Sequence, residues 1–116
     1  MRDITNEAYR ATVVLIALLD TLWTNCQALA KVNRGDRVYT NLASKFSKWH
    51  SAAERLNREA YQQVTDETYE RHQATQSGKG MLGAARKMNR DARAVARFHD
   101  IPTKEMKVSQ LIRRME

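Results

Sequence analysis

Apolar residues between about residues 5 and 32 recur every three or four positions, which is the spacing of one face of an α-helix. Asp3 and Thr5 are candidate N-caps for this helix, because their side-chain oxygens can accept the free N–H groups of the first turn. The apolar positions are Ala8, Ala11, Leu15, Ile16, Leu18, Leu19, Leu22, Trp23, Cys26 and Leu29. They cover more than half of the circumference, so the helix needs neighbours on two sides. The pattern predicts the central helix of a bundle, or half of a dimer interface.

A second segment, at about residues 40–64, has a narrower apolar stripe with steps of four and three, the spacing found in coiled coils. Its members are Leu42, Phe46, Trp49, Ala53, Leu56 and Ala60. The stripe loses definition near Thr65, where two acidic residues suit the start of a new helix. An unbroken helix over 40–76 would be roughly 55 Å long, which is long for a small domain. We therefore predict a break near residue 65 and a short helix over 66–76.

Two further helices are predicted in the last third of the chain. The segment Ser77-Gly78-Lys79-Gly80 is a predicted break, and a helix at about residues 81–99 follows it. Pro102 favours a helix end near residue 100, because the residue before a proline is disfavoured in the helical region. Thr103 is the candidate N-cap of a last helix at about residues 103–115.

Composition agrees with a helical protein. The 116 residues include 42% hydrophobic residues, too many for a disordered chain, and only four Gly and one Pro for the turns that an all-β fold needs. We predict an all-α fold, a single domain over 1–116 built as a small bundle of about four helices, and compatible with a homodimer.

Positive charge is concentrated after Gly80. Of the net charge of +7, +5 lies in residues 81–116, which hold nine basic and four acidic residues. Arg86, Arg90, Arg93 and Arg97 follow steps of four, three and four, so they project from one helical face within a band about 60° wide. Helix faces exposed to water usually carry both positive and negative side chains at this spacing. This face carries four arginines and no acidic residue.

An anionic partner would explain the arginines, since guanidinium groups match phosphate oxygens and carboxylates bidentately. Nucleic acid and an acidic protein surface are both candidates. Two simpler explanations also stand. One is that the arginines pair with acids of the same domain, for instance Asp66, Glu67 and Glu70, and the other is that they form a solubilising face.

The stretch from Ala94 to Met106 resembles the helix-turn-helix pattern, with a small residue at Ala96, a turn at Asp100 and an apolar residue at Ile101. It departs from the pattern at Asp100, since that turn position usually holds glycine. In helix-turn-helix proteins the second helix lies in the major groove of DNA. The resemblance implies base contacts by Thr103, Lys104 and Lys107, and phosphate contacts by Arg97 and Arg113. Together with the other three arginines, these basic residues form the predicted binding site.

A different class of function fits the same composition. Small basic proteins of phage or plasmid origin often act as accessory factors that bind a larger protein and inhibit or modulate it. Such a protein would dock its basic face on an acidic surface of the partner.

Catalytic signatures are absent from the sequence. His50, His72 and His99 lie in separate segments, and no nucleotide-binding glycine string or zinc-protease motif is present. His50 and Glu54 lie one turn apart, which is more typical of a hydrogen bond than of a metal site. We predict a protein that is not an enzyme and has no cofactor, metal or small-molecule substrate.

The expected location is the cytoplasm. Cys26 is the only cysteine, so no intramolecular disulfide can form, and its position on the apolar face suggests a buried thiol. The continuous apolar run Val13–Leu19 has seven residues, far short of the roughly 20 that cross a bilayer. Asp3, Glu7 and Asp20 interrupt the pattern of a secretory signal. We therefore expect no membrane contact.

Overall fold

A computed structural model describes the backbone of residues 4–65 and 71–115 and the side chains of residues 6–62 and 79–113. It contains four helices, α1 (Ile4–Val32), α2 (Val38–Thr65), α3 (Arg71–Phe98) and α4 (Val108–Met115). The described part of the chain contains no strand. The prediction of an all-α fold with about four helices is confirmed.

The helix α1 lies at the centre of an elongated bundle that measures 54 × 22 × 20 Å. It contacts all three other helices, and its broad apolar face is covered by them. Leu15, Leu19, Leu22 and Cys26 are fully buried in the main core. The sequence prediction of a central helix is therefore confirmed, and the physical reason is the width of its apolar face.

The apolar surface of α1 is more extensive than the run of seven residues suggested. By length and composition alone, the segment Asn6–Val32 could cross a membrane, a criterion that core helices and N-terminal signal sequences also meet. In the bundle, its leucines form the core against α2 and α3.

The helix α2 packs its narrow stripe on α1. Leu42, Phe46 and Ala53 are buried in the main core, and Trp49 packs against the same cluster. Asp36 lies two residues before the helix, and its Oδ1 accepts a hydrogen bond from the backbone N–H of Val38, the first helical residue, at 2.9 Å. The structure describes α2 as far as Thr65, and the predicted break near that residue falls on residues 66–70, which lie outside the described residues.

The predicted break at Ser77–Gly80 is wrong, because α3 continues through it from Arg71 to Phe98. Glycine in a helix costs only about 1 kcal/mol relative to alanine, which tertiary packing can override. Met81 and Leu82 supply that packing, since both are buried in a second cluster with Ala8 of α1 and Ala60 of α2. The part of the predicted 66–76 helix from residue 71 onward thus belongs to α3, and residues 66–70 lie outside the described residues.

The C-terminus of α3 ends in a Schellman motif. The N–H of Ile101 donates to the carbonyl of Ala96 at 2.7 Å, and the N–H of Asp100 donates to the carbonyl of Arg97 at 3.3 Å. Asp100 has a φ of 54°, the left-handed conformation that this motif requires and that glycine adopts most readily. Ile101 and Ala96 are both buried, which supplies the hydrophobic contact typical of the motif.

The predicted start of the last helix at Thr103 is also wrong, because α4 begins at Val108. Lys107 is its N-cap residue, and its backbone N–H donates to the Oε1 of Gln110 at 3.0 Å. This bond is one half of a capping box, with Gln110 three residues into the helix. The connection between α3 and α4 therefore runs over residues 99–107.

Candidate anion-binding surface

Arg86, Arg90, Arg93 and Arg97 are all exposed on one side of α3, and we call them the arginine stripe. Because α3 is continuous, the same spacing extends towards its N-terminus through Gly83 to Lys79, which is also exposed. The full series has steps of four, three, four, three and four, so its members follow one narrow line along the helix. The sequence predicted the stripe, but the predicted break at residues 77–80 hid this extension.

The arginine stripe has no acidic partner in the part of the chain whose side chains are described. No carboxylate oxygen there lies within 4.0 Å of its guanidinium nitrogens. Arg93 donates instead from Nε to the Oδ1 of Asn89 at 2.9 Å, which fixes its direction on the helix. The alternative pairing with Asp66, Glu67 and Glu70 lies outside the described side chains. Unpaired guanidinium groups side by side raise the local positive potential and attract anions.

A groove between α1 and α3, the α1–α3 groove, adds a fifth arginine to this surface. Its cavity is about 590 Å³ in volume. The lining residues are Arg10, Ala11 and Val14 from α1, and Gly83, Ala85, Arg86, Asn89 and Arg90 from α3. Arg10 was missed by sequence reasoning, because 76 positions separate it from Arg86 and no local pattern connects them. Cationic groups therefore stand on both walls of an otherwise largely apolar groove.

A second cavity, the α3–α4 cavity, gathers the other half of the arginine stripe with the connection that follows it. Its volume is about 450 Å³. Arg93 and Arg97 line it together with Ile101, Pro102, Thr103, Lys104 and Met106. Three of the predicted site residues, Arg93, Arg97 and Lys104, thus meet at one place.

Asn25 of α1 holds the α3–α4 connection in this position. Its side-chain Nδ2 donates to the carbonyl oxygens of Pro102 at 3.0 Å and Lys104 at 2.8 Å. Its Oδ1 accepts a longer bond of 3.4 Å from the backbone N–H of Met106. The side chain is fully buried, so these bonds satisfy an amide that has no access to water. Sequence reasoning missed Asn25, although a polar residue within the apolar arc of α1 was a signal available there.

The structure does not have the geometry of a helix-turn-helix motif in this stretch. Nine residues, 99–107, separate α3 from α4, where the motif has a turn of three or four. That connection contains Thr103, Lys104 and Lys107, and Lys107 is the N-cap residue that directly precedes α4. Arg113 is exposed on α4, and neither it nor Lys107 lines the two cavities. Because α4 lacks a first turn at residues 103–107, it cannot present those side chains as a recognition helix does.

Phe98 is a further feature of this surface that the sequence did not reveal. Its side chain is 85% exposed, although it directly follows Arg97 at the end of α3. The only ring beside it among the described contacts is that of His99, with centroids 4.9 Å apart and an interplanar angle of 77°. The exposed ring adds an apolar face at the end of a line of cationic side chains.

Other reactive groups contribute little to this surface. Burial raises the pKa of the Cys26 thiol to about 12, so it stays protonated and unreactive at neutral pH. His50 Nδ1 and Glu54 Oε1 lie 2.7 Å apart, which confirms the predicted pair. Within the described residues, this pair has no third His, Cys, Asp or Glu with which to form a metal site. The chemistry that the described surface offers is the binding of anions by guanidinium and ammonium groups.

Comparisons with protein family models, with curated proteins and with solved structures each found no match. A function is therefore inferred from the arginine stripe and the cavities beside it.

Proposed function

We propose that this protein is a non-enzymatic nucleic-acid-binding protein that holds the phosphate backbone along α3. The observation that carries the proposal is the arginine stripe, four exposed guanidinium groups in a line with no carboxylate beside them among the described side chains. Like charges at this spacing repel each other, and bound phosphate groups would neutralise that repulsion.

The dimensions of the stripe suit a polyanion. At 1.5 Å per residue, Arg86 and Arg97 are about 16 Å apart along the helix axis. Duplex DNA carries one negative charge per about 1.7 Å of its axis, so a helix lying along it meets several phosphates. Lys104 extends the contact beyond the end of α3, while Lys107 and Arg113 contribute positive charge around α4.

Binding of this kind is independent of sequence. Phosphate contacts fix the position of a protein on nucleic acid but do not distinguish bases. Because residues 103–107 do not form a recognition helix, we do not propose the base contacts that the helix-turn-helix resemblance implied. A cytoplasmic location fits the proposal, and a homodimer would double the basic surface without changing its chemistry.

The test compares duplex DNA binding by two variants that lose equal charge. Arg93→Gln with Arg97→Gln removes two stripe residues, and Arg55→Gln with Arg58→Gln removes two exposed arginines of α2. Fluorescence anisotropy is measured over a series of salt concentrations. Each phosphate contact contributes about 0.9 to the slope of log K against log salt, so the stripe variant should lose about two units of slope.

The α2 variant should keep the slope of the native protein. Absence of DNA and RNA binding by the native protein at low salt would refute the proposal. Equal losses in the two double variants would also refute it, because binding would then follow net charge and not the stripe.

A further inference from the structure

The α1–α3 groove has an apolar character that phosphate binding does not explain. Val14 on its α1 wall is 56% exposed, and the neighbouring Val13 is 46% exposed. Ala11 and Ala85 line the same cavity. Phosphodiester groups offer no apolar surface to cover these side chains, whereas burying them against a protein would be favourable.

Gly83 provides a second and independent observation. It lies in the interior of α3, where glycine costs about 1 kcal/mol relative to alanine, and it takes one position in the line formed by Lys79 and the arginine stripe. An added Cβ would meet no atom within 4 Å, and the residue has no positive φ. The described fold therefore needs glycine neither here nor at Gly80, which gives the same result, but only Gly83 lines the groove. Glycine does permit close approach of another backbone.

Charge indicates the chemistry of the occupant. Arg10 on one wall and Arg86 and Arg90 on the other flank the apolar lining, and none has a carboxylate partner among the described side chains. An occupant with aliphatic groups along one edge and carboxylates on both sides would match this arrangement. An amphipathic helix with Asp or Glu beside its apolar stripe has that form, and helices in grooves are a recurrent mode of recognition.

We infer that the α1–α3 groove binds an acidic amphipathic helix of a partner protein, which packs its backbone against Gly83 and pairs its carboxylates with Arg10, Arg86 and Arg90. This goes beyond nucleic-acid binding and does not depend on it. Arg86 and Arg90 belong to both surfaces, so the two ligands compete. Arg93 and Arg97 belong to the nucleic-acid surface, whereas Val14 and Gly83 belong to the groove.

The probe is a designed peptide of about 18 residues, or five helical turns, with leucines at steps of three and four and glutamates beside them. A scrambled peptide of the same composition keeps the charge but loses the apolar stripe. Anisotropy with the full-length protein at about 0.1 M salt should give at least about tenfold tighter binding of the designed peptide.

Two glycine variants form a matched pair. Gly83→Gln fills the groove, and Gly80→Gln adds the same side chain to the same helix at an exposed glycine that does not line the groove. Gly83→Gln should weaken peptide binding about tenfold, while Gly80→Gln should change it by less than about twofold. Both variants should melt at or above the temperature of the native protein, since glutamine favours helix more than glycine does.

Equal binding of the designed and scrambled peptides would overturn the inference, as would equal effects of the two glycine variants. Loss of DNA binding in Gly83→Gln without loss of peptide binding would assign the groove to nucleic acid and also overturn it. The Arg93→Gln, Arg97→Gln variant separates the two proposals, because it should lose DNA affinity and keep peptide affinity.

Discussion

The side chain of Asn25 donates a hydrogen bond of 2.8 Å to the backbone carbonyl of Lys104, which lies 79 positions later in the chain. Through this bond and the one to Pro102, the central helix determines where the connection after α3 runs. Lys104 is thereby brought to the cavity that Arg93 and Arg97 also line. A buried amide in the core thus positions a cation on the surface.

Replacing Asn25 by alanine should destabilise the protein and weaken DNA binding. The change leaves backbone groups of Pro102, Lys104 and Met106 without their partner, at about 1–3 kcal/mol for each group that water cannot reach. Urea unfolding measures the loss of stability, and DNA affinity is measured where the variant is still folded. Gln27→Ala, an exposed change on the same helix, is the control. A loss below about 0.5 kcal/mol in Asn25→Ala would show that Asn25 does not hold the connection.

Replacing Asp100 by glycine should maintain or raise the stability of the protein, and replacing it by valine should lower it. Its positive φ is unfavourable for residues with a Cβ by about 1–2 kcal/mol, less so for Asp, and most of all for β-branched side chains. Thermal unfolding should show Asp100→Gly at or above the native midpoint and Asp100→Val clearly below it. The opposite order would mean that the turn does not keep the left-handed conformation in solution.

The thiol of Cys26 should be inaccessible in the folded protein and should make stability fall at high pH. Burial raises its pKa from 9.0 to about 12, so the folded state holds the proton more tightly than the unfolded state. The resulting stabilisation is complete below a pH of about 9 and is lost as the pH rises towards about 12. Urea unfolding of the native protein and of Cys26→Ala across this range measures the effect.

The variant Cys26→Ala should have a shallower decline in stability with alkaline pH, although its stability at neutral pH is lower because of the cavity it creates. A thiol reagent gives a second measurement, since its reaction with the native protein should require unfolding. Rapid labelling of the folded protein, or identical pH profiles for the two proteins, would contradict a buried thiol.

Phe98 should contribute to the binding of single strands and not to stability. Its ring is 85% exposed, so Phe98→Ala removes little packing and should change the unfolding free energy by no more than about 0.5 kcal/mol. Stacking of an unpaired base on an aromatic ring is worth about 1–3 kcal/mol, which corresponds to a loss of about fivefold or more in single-stranded DNA affinity. Affinity for duplex DNA, whose bases are already stacked, should stay the same. Equal losses for both forms of DNA would exclude stacking by Phe98.

The apolar spacing of the sequence was sufficient to predict the bundle. The broad arc of α1 and the narrow stripe of α2 each follow from which side chains avoid water, and Leu15 and Phe46 are buried as their positions in those patterns require. The arginine stripe could be predicted for the same reason, because a helix of known register fixes which residues share a face.

Local signals were less reliable where packing opposed them. Gly80 and its neighbours favour a break by propensity, but Met81 and Leu82 are buried beside them and keep α3 continuous. Thr103 is a good N-cap by type, but the bonds from Asn25 to the adjacent backbone hold that segment outside a helix. In both places the interactions that decided the structure come from residues distant in sequence.

The spacing of apolar and charged residues is enough to predict amphipathic helices, a core around the first of them, and four arginines on one helical face. The positions of Arg10 opposite Arg86 and Arg90, and of Lys104 beside Arg93 and Arg97, are seen only when the helices are packed together. The physical reason is that periodicity along a helix fixes the faces of that helix alone. Which faces meet depends on how the helices pack, and here that depends on contacts such as those of Asn25 across most of the chain.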